Sequence, residues 1–295
     1  MATPSSTNSM NRPKPLPTAI IAVVNQKGGV GKTTTSLNLA AGLARPAGRE
    51  AACKVLLVDL DPQGNASTGL GIGYDQRGDG TYMALTGDQA AGERARILPS
   101  AIAGLDVMPA SPDLAGAELE MMADPERTSR LKGALGRVSG AYDIILIDCP
   151  PGLGLLPLNA LVAANKVLVP LQCEFFALEG VAQLAETVAR VQQNFNPALQ
   201  IEGIVLTMFD RRNNLSTQVA EDARAHFGSL VYTTQVPRNV RIPEAQSHGR
   251  SVMDYDSRSA GALAYQALAA ELLERLNQGA PGTEPHHAQP ESALA

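Results

Sequence analysis

Tryptophan is absent from these 295 residues, and only five Phe and six Tyr supply aromatic bulk. The core must then be aliphatic, built from Ala, Val, Leu and Ile. A hydrophobic content of 44% with 18% charged residues is that of a globular chain. Cysteine is scarce: Cys53, Cys149 and Cys173 are widely spaced, odd in number and form no C-x-x-C pair. That spacing speaks against a disulfide framework or a zinc site and predicts buried, reduced thiols. Basic excess is lacking too, with 24 Lys and Arg against 29 Asp and Glu, a net charge of −5. A chain-wide electrostatic grip on nucleic acid is excluded, whereas a local basic patch is not. No apolar run approaches the length of a membrane span. The first 18 residues, MATPSSTNSMNRPKPLPT, lack the apolar segment of a secretory leader. A cytoplasmic chain that leaves membranes alone is the expectation.

Residues 1–18 are rich in Ser, Thr and Pro and predict a disordered arm; residues 278–295 predict a disordered tail. The body, 19–277, reads as a single domain. Short apolar runs at 19–24, 54–59, 143–148, 166–171 and 201–207, and a weaker one at 230–236, fit strands covered on both faces. Helical periodicity falls between them, at 33–44, 155–164, 178–194, 215–227 and 259–276. Alternating strands and helices predict an α/β fold: a mostly parallel, twisted sheet flanked by helices on both faces. Residues 75–135 are less regular and read as inserted helices and loops, with one further strand at 105–109.

The first strand runs into Gln26-Lys27-Gly28-Gly29-Val30-Gly31-Lys32-Thr33-Thr34 and then an amphipathic helix. The ordinary phosphate loop is G-x-x-x-x-G-K-[ST]. Gly31-Lys32-Thr33 matches its end, but its first glycine would fall at Gln26. Glycines at 28, 29 and 31 let the backbone turn its N–H groups inward as an anion nest. The following helix aims its N-terminus at the phosphates. Lys32 would bridge the β- and γ-phosphates, the Thr33 hydroxyl would ligate Mg²⁺, and Thr34 would add a phosphate contact. The competing reading is a glycine-rich turn without a ligand; lysine, hydroxyl and glycines together in a strand–loop–helix context disfavour it.

Two further strands end in acids: the second in Asp59-Leu60-Asp61, the third in Asp148. Ligands of open parallel sheets bind at that edge. Asp59, Asp61 and Asp148 are therefore expected to converge near Lys32 and Thr33. Asp61 is assigned to orient and activate the attacking water, Asp59 and Asp148 to the water shell of the metal.

These segments, with VLVPLQCEFFALEG, GIVLTMFDRRNNLS and VPRNVRIPEAQSHGRSVMDYD, resemble the ParA/Soj family of partition ATPases, P-loop NTPases related to MinD. The resemblance spans nearly the whole body. It implies ATP and Mg²⁺ as ligands and weak intrinsic ATPase activity. It makes Lys27 a signature lysine that reaches the partner's phosphates in an ATP-bridged homodimer. It makes Gln63-Gly64-Asn65 a switch segment, places Pro237 and Asn239 beside adenine, and makes Met208 an apolar wall. Gln246 and Arg250 stand where the family usually has Pro and Lys. Residues 205–260 hold seven Arg against six acids. Arg212 and Arg241 match family arginines that contact DNA phosphates without reading sequence, and Arg250 is counted with them. The implied partners are nonspecific double-stranded DNA and a ParB-like centromere-binding protein, in a nucleoid-associated cycle. A MinD-like membrane positioner is the alternative; the tail GAPGTEPHHAQPESALA, without Lys or Arg, disfavours it. A cluster-binding ATPase resembling the nitrogenase iron protein would need a cysteine pattern that Cys149 and Cys173 do not form.

Overall fold

Apolar runs buried on both faces have to be strands sandwiched between layers, and a computed structural model of the chain bears this out. It describes residues 18–45, 52–88, 91–174 and 177–278. Eight strands form one sheet: β1 (Ala19–Val23), β2 (Val55–Asp59), β3 (Leu98–Pro99), β4 (Leu105–Met108), β5 (Ile144–Asp148), β6 (Lys166–Gln172), β7 (Gln200–Phe209) and β8 (Val231–Pro237). Their order is β3-β4-β2-β5-β1-β6-β7-β8. Only β3 against β4 is antiparallel; that two-residue edge strand carries too short a pattern to be seen in the sequence.

The period-two alternation of each strand splits its residues between two cores. Ile21, Val23, Val55, Leu57, Ile144 and Leu146 face the helices Lys32–Leu43 and Ala260–Gln278. Ala22, Val24, Leu56, Val58, Ile145 and Ile147 face the opposite layer, which includes Leu155–Ala163 and Ala177–Asn194. Each fully buried Leu or Ile contributes ~1.5–3 kcal/mol, so an aliphatic interior without Trp suffices. The helix Lys32–Leu43 is buried along nearly its whole length, from Thr35 to Leu43. It lies between the sheet and the C-terminal helix, held by the Thr35–Tyr265 hydroxyl pair and by the Asn38 side-chain oxygen, which accepts from Val252 N at 2.8 Å.

The inserted region is as expected: short helices at Asn65–Gly69, Tyr74–Arg77, Thr81–Thr86, Leu114–Glu120 and Arg130–Gly136 around β3 and β4. The arm and tail fall outside the described residues except at their inner ends. There Thr18 donates its hydroxyl to the Ser139 and Tyr142 carbonyls, and Gln278 ends the last helix. Cys149 and Cys173 are buried, but Cys53 is only half-buried, because it precedes β2 at the sheet's N-terminal edge. Among the described residues no helix is long and apolar enough to cross a membrane.

Candidate active site

Register decides where the acids go. β2 and β5 pair from Val55↔Ile144 to Asp59↔Asp148, so the two carboxylates leave adjacent strands side by side. By alternation they share the face of Val55, Leu57, Ile144 and Leu146, the face that carries the helix Lys32–Leu43. Asp148 Oδ1 accepts from the Ser36 hydroxyl at 2.8 Å, one helical turn beyond Lys32. The Thr33 hydroxyl also acts on Asp148, while Asp148 Oδ2 is buried without a hydrogen-bond partner.

Asp59 is fully buried and tied down. Its Oδ2 accepts from Ser67 N at 2.8 Å and Ser67 Oγ at 2.7 Å, and its Oδ1 from Asp61 N at 3.3 Å. Asp61, two residues on, is also buried, at 9% exposure; Oδ1 accepts from Gln63 N at 3.0 Å, and its carbonyl accepts from Gly64 N at 2.8 Å. Burial, aided by the Asp59 charge, pushes Asp148 up to about 8. Burial pushes Asp59 up to about 6 against the Ser67 hydrogen bonds. A raised carboxyl pKa means the folded chain holds a proton that the unfolded chain releases. Stability is then full at low pH and falls as pH rises from about 4 to about 8. Asp148→Asn, in EDTA and without nucleotide, is therefore expected to raise Tm by about 3 °C or more near pH 8 and by less near pH 5. Thermal melts across that range test it; an equal shift at both ends would contradict the assignment.

The loop that faces these acids turns through left-handed backbone at Gly29 (φ 76°) and Gly31 (φ 87°). Gly28 has no such conformation, and a Cβ there would meet open space. The expectation that all three glycines serve the turn is thus corrected to two. Lys32 is buried, and its Nζ donates to the Lys27 carbonyl at 3.0 Å, across the mouth of the loop. Burial lowers its pKa, opposed chiefly by the Asp148 charge. Lys27 points the other way. Its side chain is half exposed and pairs with Glu174, just beyond β6, at 2.8 Å. Thr34 Oγ1 accepts from Gln246 Nε2 at 3.2 Å, so the departure from the family pattern at Gln246 touches the phosphate loop.

The end of β7 is pinned to the same loop by Thr207 Oγ1, which donates to the Val30 carbonyl at 2.9 Å. Met208 follows with φ 50°, the one non-glycine with positive φ among the described residues. Its Cε would lie 3.9 Å from a Cβ on Gly31. Such backbone strain clusters at ligand sites. Pro237 is in register with Phe209, one residue beyond Met208. Asn239 Oδ1 accepts from the N–H of Arg241, the first residue of the helix Arg241–Ser247.

The arginines separate into two places. Arg212, side chain 91% exposed and forked onto Asp210, shares a groove with Arg211, Arg238 and Val240. Arg241 lies next to Val240 and pairs with Glu244 at 2.8 Å and Asp256 at 3.5 Å. Arg250 lines another cleft, with Leu70 and Asp254, and donates to the Asp254 carbonyl. Ser36, Ser67, Thr207 and Glu174 were missed as site residues. Ser36 alone had a sequence signal, its i+4 position from Lys32.

A family model for the AAA domain matches residues 18–201. The chromosome partitioning protein ParA of Caulobacter vibrioides is 52% identical over 263 residues, 88% of this chain and 95% of that protein. The sporulation initiation inhibitor protein Soj of Bacillus subtilis is 51% identical over 253 residues, 86% and 97% of the two chains. The chain belongs to the ParA/Soj family. A solved structure similar to this ParA/Soj chain is a cobyrinic acid a,c-diamide synthase from Mycobacterium smegmatis with bound ADP and magnesium. It has a TM-score of 0.73 and 38% identity, over 88% of this chain and 96% of that one.

Among the described residues no three His, Cys, Asp or Glu side chains lie close enough to cage a metal ion. The donors present are the Thr33 hydroxyl and the orphaned Asp148 Oδ2. That set fits Mg²⁺, which takes few protein ligands and fills its octahedron with phosphate oxygens and water.

Proposed function

We propose that this chain is an ATP-dependent DNA-partitioning protein, with residues 19–277 acting as a single ATPase domain. ATP binding drives a face-to-face homodimer that holds DNA without reading sequence. Hydrolysis, slow alone and stimulated by a ParB-like partner, releases it from the nucleoid. The observation that carries this reading is the split between two lysines on one loop. Lys32 is buried toward Asp148, while the half-exposed Lys27 side chain pairs with Glu174. A half-exposed cation on the phosphate loop, turned away from the buried Lys32, is suited to a triphosphate delivered by a second subunit.

In that state Lys32 leaves the Lys27 carbonyl for the β- and γ-phosphates, and the backbone N–H groups of 28–34 surround them. The Thr33 hydroxyl would hold Mg²⁺, and Asp148, with Asp59 behind it, would hold its water shell. Mg²⁺ held there would supply charge neutralisation for the phosphates. Asp61 orients the water that attacks the γ-phosphorus as the bond to the β,γ-bridging oxygen breaks. Met208, Pro237 and Asn239 flank the adenine.

The groove of Arg211, Arg212 and Arg238, continued by Arg241, is the proposed DNA surface, with Arg250 as an outlying contact. The ion pairs there are exposed, and such pairs hold their arginines weakly enough for DNA phosphates to take them over. Arg241→Glu is expected to weaken ATP-dependent retention of nonspecific DNA by about tenfold or more at moderate salt, with a shallower salt slope. Mg·ATP affinity should stay within about twofold, because the Arg241 side chain is half exposed and pairs with Glu244 and Asp256 rather than with the phosphate loop. Filter binding across a salt series measures both; equal retention by variant and wild type would overturn the DNA assignment.

A further inference from the structure

Among the described residues Arg77 is the largest fully buried side chain, 1% exposed, at the end of the short helix Tyr74–Arg77. The exposed ring of Tyr74 covers it, with the guanidinium carbon 4.0 Å from the ring centroid. No carboxylate pairs with it among the described residues. Its Nε and Nη2 donate to the Ile72 carbonyl at 3.3 Å, and Nη2 donates to Thr68 Oγ1 at 2.5 Å. Nη1 is buried with no acceptor.

That orphan donor lies against the segment that follows Asp61. A Cβ on Gly64, whose φ is 63°, would sit 2.1 Å from Nη1. Thr68, held by Arg77, donates its hydroxyl to the Gly64 carbonyl at 3.0 Å. Gly64 N in turn donates to the Asp61 carbonyl at 2.8 Å, closing the turn that carries the Asp61 side chain. One continuous path, Arg77–Thr68–Gly64–Asp61, thus runs from a buried charge to the rim of the phosphate site. A buried cation with neither counter-charge nor full hydrogen bonding is costly in the resting fold. A buried donor left unsatisfied calls for an explanation, and a second arrangement that satisfies it is one.

We infer that Arg77 is a positioning residue for hydrolysis. It braces Gly64 and so aims Asp61, and its free Nη1 takes a backbone carbonyl of residues 62–65 when that segment closes on nucleotide. The inference rests on the ATPase reading of the site and adds to it a residue that touches neither nucleotide nor water.

The test compares wild type, Arg77→Met and Arg77→Lys as full-length chains, measuring kcat, KM for Mg·ATP and Tm without nucleotide. Arg77→Met is expected to lower kcat by roughly tenfold or more and leave KM within about threefold. It should not lower Tm, because an unpaired buried charge has been replaced by an apolar chain of similar length. Arg77→Lys, which keeps a donor at the same depth, should recover part of the lost kcat. Turnover of Arg77→Met within about twofold of wild type overturns the inference. So does a loss of kcat that tracks a fall in Tm and in nucleotide affinity, or a failure of Arg77→Met to fold, since either makes Arg77 structural. Absence of turnover in the wild type would instead overturn the ATPase reading beneath it.

Discussion

Asp61→Ala, given ATP and Mg²⁺, is expected to elute from size exclusion as a stable dimer, while the wild type returns to monomer as its nucleotide is consumed. The substitution removes one carboxylate and little else. Asp61 contributes Oδ1 to Gln63 N, but the turn itself is closed by the Asp61 carbonyl and Gly64 N, which alanine retains. Asp59 and Ser67 keep the strand end in place through buried bonds that do not involve the Asp61 side chain. The groups proposed to hold phosphate and metal, Lys32, Thr33 and Asp148, are likewise untouched. Binding should therefore survive, with Mg·ATP affinity within about threefold of wild type. Loss of the group proposed to orient water should lower turnover by roughly 10²–10³-fold. Removing a negative charge close to the phosphates also favours the triphosphate state. Together these effects trap the dimer. A monomer with ATP under every condition would remove the switch, and undiminished hydrolysis would move the water-orienting role to another residue.

How much of this was legible in the sequence depended on whether a signal was local. The continuous runs at β1, β2, β5 and β6 are apolar because both faces are covered, so their existence and parallel pairing were readable. The loop was readable because Gly31-Lys32-Thr33 is contiguous and sits between a strand and a helix. The approach of Asp148 to Asp59 was readable as strand-end placement, since both end their strands in register. What escaped was long-range. Ser67 holds Asp59 from eight residues on, across a turn. Glu174 reaches Lys27 only because β6 lies beside β1. Thr207 reaches Val30 because β7 comes next in the sheet. Arg250 was grouped with Arg212 and Arg241 by proximity in sequence, yet the helix Arg241–Ser247 carries it to a different cleft. Arg77 carried no motif; only packing reveals that its charge is buried.

The largest expected loss of nucleotide binding is that of Lys32→Met, and its contrast with Lys27→Ala separates the two lysines. Lys32 Nζ lies 3.0 Å from the Lys27 carbonyl and close enough to Asp148 and Asp61 for their charges to stabilise it. Desolvated ammonium groups of this kind bond phosphate oxygens strongly, because little water competes. Lys32→Met keeps the length and apolar stem, removes the charge, and leaves Asp148 and Asp61 facing the phosphates without a cation between. Affinity for Mg·ATP should fall by about 100-fold or more. The nucleotide-free Tm should move by only a few degrees, roughly 3 °C at most, because a costly buried cation has gone along with its attraction to Asp148. Lys27→Ala should behave differently. Its ion pair with Glu174 is about half exposed, so its loss barely affects stability. Monomer affinity for Mg·ATP should stay within about threefold of wild type, while the ATP-dependent dimer disappears. Calorimetric titration of each variant with a non-hydrolysable ATP analogue, paired with light scattering, reads both quantities. Retention of dimer by Lys27→Ala would show that the rim lysine does not serve the partner's phosphates. Retention of affinity by Lys32→Met would show that the loop does not hold nucleotide through its buried cation.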